Sequence, residues 1–445
     1  MKSKYFRFLP FLPLFLKFIN PNSIIFKIIK AFFSALLISN FIYLSFFENL
    51  FLELLNPFLS IYGLVLLLRS KNKMSYFLTG FFIGILWFWW VGLSSIYFNL
   101  SYLIPIEILI IGIIYGVLFL ICYFLYFDFL RLCGIFLLSF VHPFGFDWLN
   151  FGILSVYGIF DASYKGAIII FLIAYFYYEK YISRYYKISI ILILALIGIQ
   201  YEQKNPEKLE LDYKLIQTHI SQDQKFLQEN LQTHSNMIIE QIIQAIKEKK
   251  ELIIFPETTF AFALNKSSYH IQLLKELSHQ IIIITGAISL TSNGIYNSTY
   301  IFNKGKVEIF NKYYLVPFGE EIPIFKDLFK KAFYDLDEFS KGKIFNQYTL
   351  NNQKITNAIC YEATKEQIYK NSKIIIAISN NAWFDHSIQY KLQNILIQFY
   401  ANNYNVSVYH TTNGEGNMVI KPKEILLQKI KNTLESKMKL FKASF

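Results

Sequence analysis

Three side chains able to do covalent chemistry together occupy equivalent places in this chain: Glu257 follows "ELIIFP", Lys312 follows "VEIFN" and Cys360 follows "KITNAI". Each preceding run is apolar and β-rich, so each residue is placed at the end of a predicted strand, where layered α/β folds bind their ligands. A free thiol has a pKa near ~8.5 and needs a base or a cation to react as a thiolate at neutral pH. A carboxylate and an ammonium supply both. Glu257 would take the thiol proton and later return it to a leaving group. Lys312 would stabilise the thiolate and then the oxyanion of a tetrahedral intermediate, with the backbone amide after Cys360 completing that oxyanion site. Singly, each residue has an ordinary reading: a helix cap, a solvated lysine, a buried packer. The combination favours a catalytic set.

The elements that must carry this set begin at residue 211, where short β-rich runs alternate with polar amphipathic stretches. That alternation is the mark of an α/β layered fold. "YKLIQTHI", "ELIIFPE", "IIIITGAIS", "STYIFNKGKVEIF", "KITNAIC", "KIIIAISNN" and "VSVYHTTNGEGNMVI" read as strands, and "ENLQTHSNMIIEQIIQAIKEKK" as an amphipathic helix. No phosphate loop, metal-ligand cluster or repeat is visible, so neither a metal nor a cofactor is expected.

The first half has a different texture. The chain is 54% hydrophobic with 46 Phe and 32 Tyr, and only seven of its 31 acidic residues fall in residues 1–200. Such a composition excludes one ordinary soluble domain and predicts a membrane domain over 1–200 followed by a catalytic domain over 201–445. Candidate spans are 23–47, 49–68, 76–98, 103–127, 132–146, 163–179 and 188–200, the last two and the fifth being short. The net charge of +12 would suit nucleic acid, but the first-half lysines and arginines gather at the ends of apolar runs, which is membrane topology and not a phosphate-binding stripe. Seven crossings from a cytoplasmic start bring residue 201 to the outside; residues 5–19 could add an eighth. Trp87, Trp89 and Trp90 read as an aromatic belt at the headgroup level, and His142, Asp147 and Asp161 as marks of a re-entrant or interfacial loop on the outer side. Cys122 and Cys133, inside apolar runs, read as packers.

With "FPET", "NKYYLVPFGEEIP" and "AICYE", the order Glu, Lys, Cys resembles the nitrilase superfamily. "KYYLVPFGEEIP", "ICYE" and "ISNNAWF" look like its membrane-bound branch, the apolipoprotein N-acyltransferases. "GFFIGILWFWWVGLSSIYF", "GIFDASYKG", "QTHISQDQKF", "FSKGK" and "TTNGEG" extend the likeness over nearly the whole chain. The resemblance implies a polytopic α-helical membrane domain plus an α/β nitrilase-like αββα domain. It implies transfer of an acyl chain from a membrane phospholipid, through a cysteine thioester, to the N-terminal amine of a diacylated apolipoprotein. Glu257, Lys312 and Cys360 would be the triad; Glu320, Tyr361 and Glu362 would support it; Trp383 and Phe226 would meet the substrate. A multi-pass protein of the bacterial inner membrane, with a periplasmic catalytic domain, no nucleic-acid partner and a monomeric state, is the matching expectation. Three departures stand out: Phe226 occupies a common tryptophan position and lacks the indole N–H, Thr258 replaces a common serine, and the closing "KPKEILLQKIKNTLESKMKLFKASF" is too charged for the usual last span. A membrane-anchored amidase acting on small amides shares the triad and is the main alternative. Pulling an acyl chain of roughly 16 carbons out of a bilayer costs on the order of 13 kcal/mol at about 0.8 per CH2, so a lipid-using site must come to the membrane.

Overall fold

The computed structural model describes residues 23–322, 338–343, 346–426 and 428–432. The possible crossing at 5–19 and most of the basic tail lie outside the described residues. Helices occupy all seven apolar segments: α1 (Ile24–Ile38), α2 (Leu50–Leu68), α3 (Lys73–Phe88), α4 (Ile104–Tyr123), α5 (Asp128–Leu137), α6 (Tyr164–Tyr178) and α7 (Arg184–Gly198). Among the described residues three helical stretches are long and apolar enough to cross a membrane, Leu50–Leu68, Lys73–Phe98 and Ser101–Tyr123. A fourth is added if α1 and Asn40–Phe47, bent by 55°, count as one. α6 and α7, at 15 residues each, reach only about 22 Å at 1.5 Å per residue. The fifth expected span, 132–146, is displaced: its helix starts at Asp128, and helical geometry ends at Phe140. Pro143 lacks the amide hydrogen and disfavours helical geometry in the residue before it, so the chain turns away there.

The tightest helix pair is α3 against α4. Gly80 and Gly84 lie against Tyr115 and Phe119 of α4, Gly112 and Gly116 lie against Phe81 and Phe77 of α3, and a Cβ at Gly80 would stand 2.4 Å from the Tyr115 carbonyl oxygen. Small residues four apart on both helices let the backbones approach, the packing mode available where lipid removes the hydrophobic drive between helices. Of the three tryptophans, Trp89 is half-buried, and the other two do not form a surface belt. Trp87 and Trp90 are fully or nearly buried, with the Trp87 indole donating to Ser39 Oγ at 2.8 Å and the Trp90 indole donating to the Trp87 carbonyl at 2.7 Å. Where every neighbour is apolar, aromatic composition cannot separate a headgroup belt from a packed core.

The second half holds two sheets. The first contains β1 (Tyr213–Leu215), β2 (Leu252–Ile254), β3 (Phe260–Ala263), β4 (Ile282–Thr291), β5 (Gly294–Asn303) and β6 (Lys306–Asn311), ordered β1-β2-β4-β5-β6 with β3 also on β4. The second contains β7 (Gln347–Leu350), β8 (Gln353–Ile359), β9 (Ile374–Asn380), β10 (Ser407–Asn413) and β11 (Met418–Ile420), ordered β11-β10-β9-β8-β7. Ile254, Ile284 and Ile301 from one sheet pack with Ile355, Ile359, Ile376 and Tyr409 from the other. The first sheet's outer face is covered by α8 (Gln228–Lys247), whose buried Ile238, Ile242 and Ala245 repeat at three- and four-residue steps, and by α9 (Ser268–Leu277). The second sheet's outer face is covered by α10 (Gln389–Tyr404). This is the expected αββα sandwich.

Two of the expected strands are each split in two. "STYIFNKGKVEIF" turns at Lys304 and Gly305, both at positive φ, the backbone of a tight hairpin. "VSVYHTTNGEGNMVI" turns at Gly414 and Gly416. The sandwich does not hang from the membrane half by a linker. Leu392, Ile395, Leu396 and Phe399 of α10 belong to one continuous core with Phe151, Leu154 and Ile170 of the membrane half. Asn150 donates to Tyr400 Oη at 3.1 Å, Asn402 donates to Asp161 at 3.0 Å, and Lys423 donates to the Gly158 carbonyl at 2.6 Å.

Candidate active site

Glu257, Lys312 and Cys360 each sit one to three residues beyond a strand end, after β2, β6 and β8. The sandwich brings them together. Lys312 Nζ, essentially inaccessible to solvent, lies 2.7 Å from Glu320 Oε2 and 3.6 Å from Glu257 Oε1. Burial alone would depress its pKa, but the Glu320 and Glu257 carboxylates override that and hold the ammonium above the usual lysine range. Asn297, on β5, was not singled out from sequence. Its amide donates to both carboxylates, at 2.6 Å to Glu257 Oε1 and 3.0 Å to Glu320 Oε1. An asparagine opening the polar triplet "NST" within a β-rich run was the available signal.

Backbone geometry sets the approach of these groups. Gly286 on β4 lets the loop of Pro256, Glu257 and Thr258 close in, since a Cβ there would stand 2.6 Å from the Glu257 Cα. Thr258 and Cys360 both adopt positive φ, 46° and 52°. That conformation is disfavoured for residues with a Cβ, and at these two buried or part-buried positions it must be held by the surroundings.

The thiol is partly buried, and burial followed by the Glu257 charge pushes its pKa up, overriding the opposing pull of Lys312. Burial thus favours the neutral thiol, and a thiol attacking from that form would have to give up its proton as it attacks. An expected consequence is that alkylation of Cys360 by iodoacetamide accelerates continuously from pH 7 past the usual thiol range. A plateau below pH 8, read by intact mass, would contradict it.

Glu362 accepts from the Ile359 amide at 2.8 Å through Oε2, and from the Tyr313 and Tyr314 amides at 2.8 and 3.2 Å through Oε1. It thereby ties the residue before Cys360 to the residues after Lys312. Burial raises its carboxyl to about 7 although those amides favour the ionised form. Glu362→Gln would present an NH2 group where only acceptors fit. We expect a loss of roughly 1–3 kcal/mol in stability, measured by thermal unfolding in detergent.

Lys225, the residue before Phe226, is not singled out by the sequence. It is almost fully buried, donates to the Glu257 carbonyl at 3.1 Å, and is pulled by burial down to about 7 against the influence of Glu257 and Cys360. Phe226 and Trp383 line one cavity of about 610 Å3 with Ile96, Tyr97, Asn99, Gln222 and Asp223. Tyr97 and Phe98 of the membrane half pack on the Trp383 ring at 5.3 and 6.0 Å, so this mouth is built from both halves. Tyr361 points the other way, toward the loop after α5. His142 is exposed, its ring 3.3 Å from the Ser139 carbonyl oxygen.

The comparisons agree on both halves of the chain. Residues 25–199 match the apolipoprotein N-acyltransferase integral membrane domain, and residues 215–412 match the carbon-nitrogen hydrolase family. The apolipoprotein N-acyltransferase of Campylobacter jejuni is 64% identical over 433 residues, 97% of this chain and 98% of that one. That of Wolinella succinogenes is 36% identical over 88% of this chain and 95% of its own, and that of Helicobacter pylori 34% identical over 82% and 89%.

Proposed function

The chain belongs to the apolipoprotein N-acyltransferase family, and from that premise we propose how its buried residues perform the transfer. The protein acylates apolipoproteins in a bacterial membrane, as the last step of lipoprotein maturation. In our reading Glu257, Lys312 and Cys360 are the catalytic set, and the acyl group passes through a thioester on Cys360. The observation that carries it is the convergence of the three strand-end residues, with one buried ammonium between two carboxylates beside a thiol.

Lys312 and the Asn297 amide both engage Glu257 Oε1, which leaves Oε2 as the oxygen for the thiol proton. As Cys360 Sγ attacks the phospholipid ester carbonyl, its proton passes to Glu257. Negative charge gathers on the carbonyl oxygen, and in our reading Lys312 and the Tyr361 backbone amide are the donors that receive it. Collapse breaks the bond to the glycerol oxygen, Glu257 returns its proton to that alkoxide, and lysophospholipid leaves. The acceptor's amine then attacks the thioester, giving its proton to Glu257. The second collapse forms the amide and releases the Cys360 sulfur, which regains the proton.

Glu320 fixes Lys312 and is itself fixed by the Val316 amide, 2.9 Å away. Glu362 spaces the lysine and cysteine turns. The Trp383 and Phe226 cavity is the entry for lipid, since it opens between the sandwich and the membrane half. We place the catalytic domain on the periplasmic side of a multi-pass inner-membrane protein, acting as a monomer. The charge bias of the loops supports that orientation.

Two experiments test this reading. A diacylated lipopeptide with a free N-terminal amine should become triacylated when mixed with the protein and phospholipid vesicles, and its N-acetylated counterpart should not. Release of free fatty acid in place of triacylated peptide would favour the amidase alternative. A reporter active only outside the cytoplasm, fused after Gln200, should be active; a cytoplasmic signal there would overturn the orientation.

A further inference from the structure

The turn carrying the nucleophile is gripped by the membrane half. Tyr361 Oη lies 2.8 Å from Asp147 Oδ1 and 2.9 Å from the Gly145 carbonyl oxygen, to one of which it donates. It accepts from the Asp147 amide at 3.2 Å and from Lys365 Nζ at 2.8 Å. Lys365 closes the loop with an ion pair to Asp147 Oδ2 at 3.0 Å, and its ammonium stands 3.9 Å from the centre of the Tyr361 ring. The Phe146 ring lies parallel to that of Tyr361, with 6.2 Å between centroids. A second hold sits one turn on, where the Trp148 indole donates to Thr364 Oγ1 at 2.8 Å and Thr364 Oγ1 donates to the Tyr361 carbonyl at 2.8 Å.

Asp147 and Lys365 are largely withdrawn from solvent, with side chains 11% and 9% exposed. A buried ion pair of this kind is weak evidence for stability, because desolvation offsets the attraction. Its geometry suggests another use. Asp147, the Gly145 carbonyl and Lys365 converge on the phenol of the residue whose backbone amide adjoins the nucleophile, and Cys360 itself holds a disfavoured positive φ that something must maintain.

We propose that Asp147, acting with Lys365, is a positioning residue for acyl transfer: it holds Tyr361 from the membrane half and so fixes the Cys360–Tyr361 peptide at the developing oxyanion. This rests on the reading of Cys360 as the nucleophile. It makes the membrane half part of the catalytic machinery as well as an anchor. Displacement of an oxyanion donor by a fraction of an ångström weakens only interactions formed in the transition state, so turnover should fall while lipid binding stays.

The test uses the full-length protein in detergent with phospholipid, comparing wild type, Asp147→Asn, Tyr361→Phe and the double variant. The readouts are the single-turnover rate of acyl adduct formation on Cys360, the KM for phospholipid, and the unfolding temperature. Each single variant should slow adduct formation by about 10²-fold, the scale of losing one oxyanion donor, with KM within about twofold. Because both remove the same link, the double variant should be at most about threefold slower than the worse single. Tyr361→Phe deletes one oxygen and keeps the ring stack, so it reports on the link even if Asp147→Asn folds poorly. Wild-type rates in Tyr361→Phe, multiplicative losses in the double variant, or losses that follow KM or unfolding temperature alone would overturn the inference. An adduct on wild-type Cys360 with unaffected variants defeats this inference alone; no adduct on the wild type defeats the nucleophile reading and this inference together.

Discussion

Replacing Cys360 by alanine is expected to abolish acyl transfer, by on the order of 10⁴-fold or more, while the protein remains folded and membrane-inserted. The side chain is small, it sits at the edge of the sheet–sheet core, and its loss opens at most a modest space there. The chemical loss is complete because no second thiol can substitute. Cys122 lies within α4 and Cys133 within α5, in the membrane half. Assay of triacylated lipopeptide formation alongside a thermal melt separates chemistry from folding. Substantial turnover by the alanine variant would remove the thioester from the mechanism.

Lys312→Met should have the second-largest effect, and it should differ in kind. The methionine matches the lysine stem in bulk but leaves Glu257 and Glu320 close together without the cation that pairs them. Removing one partner from a buried pair costs on the order of 3–5 kcal/mol. The two carboxylates would then share a proton, which blocks Glu257 as a base, and the oxyanion loses its ammonium donor. Turnover should fall about 10³-fold or more, and the unfolding temperature should fall with it. If Lys312→Met kept wild-type stability, the carboxylate pair would not depend on that ammonium as described.

The strand-end placement of Glu257, Lys312 and Cys360 could be read from the sequence because each follows a run whose apolar residues fit a buried strand. The alternation of such runs with amphipathic stretches marked an α/β layered fold, and the αββα arrangement came from the family resemblance. Other features were hidden for identifiable reasons. β3, "FAFA", and β7, "QYTL", are four residues each and too short for periodicity to register. The tryptophans of "LWFWW" sit in a segment apolar on every side, where pattern gives no direction. The grip of Asp147 on Tyr361 joins residues 214 positions apart, and no local signal encodes such a pairing. Asp147 was noticed only as a polar interruption between apolar segments. Asn297 and Lys225 reach the triad from strand β5 and from a short helical turn, contacts visible only once the sandwich is closed.

The central claim is the covalent acyl-enzyme, and the most direct measurement is the intact mass of the purified protein after incubation with phospholipid alone. With no amine acceptor present, a transferase should hold its acyl group, because the buried site disfavours water as the competing nucleophile. The mass should rise by one fatty acyl chain, map to the peptide containing Cys360, and return to its starting value when the diacylated lipopeptide is added. No adduct, or an adduct that decays equally fast with and without the lipopeptide, would contradict the account.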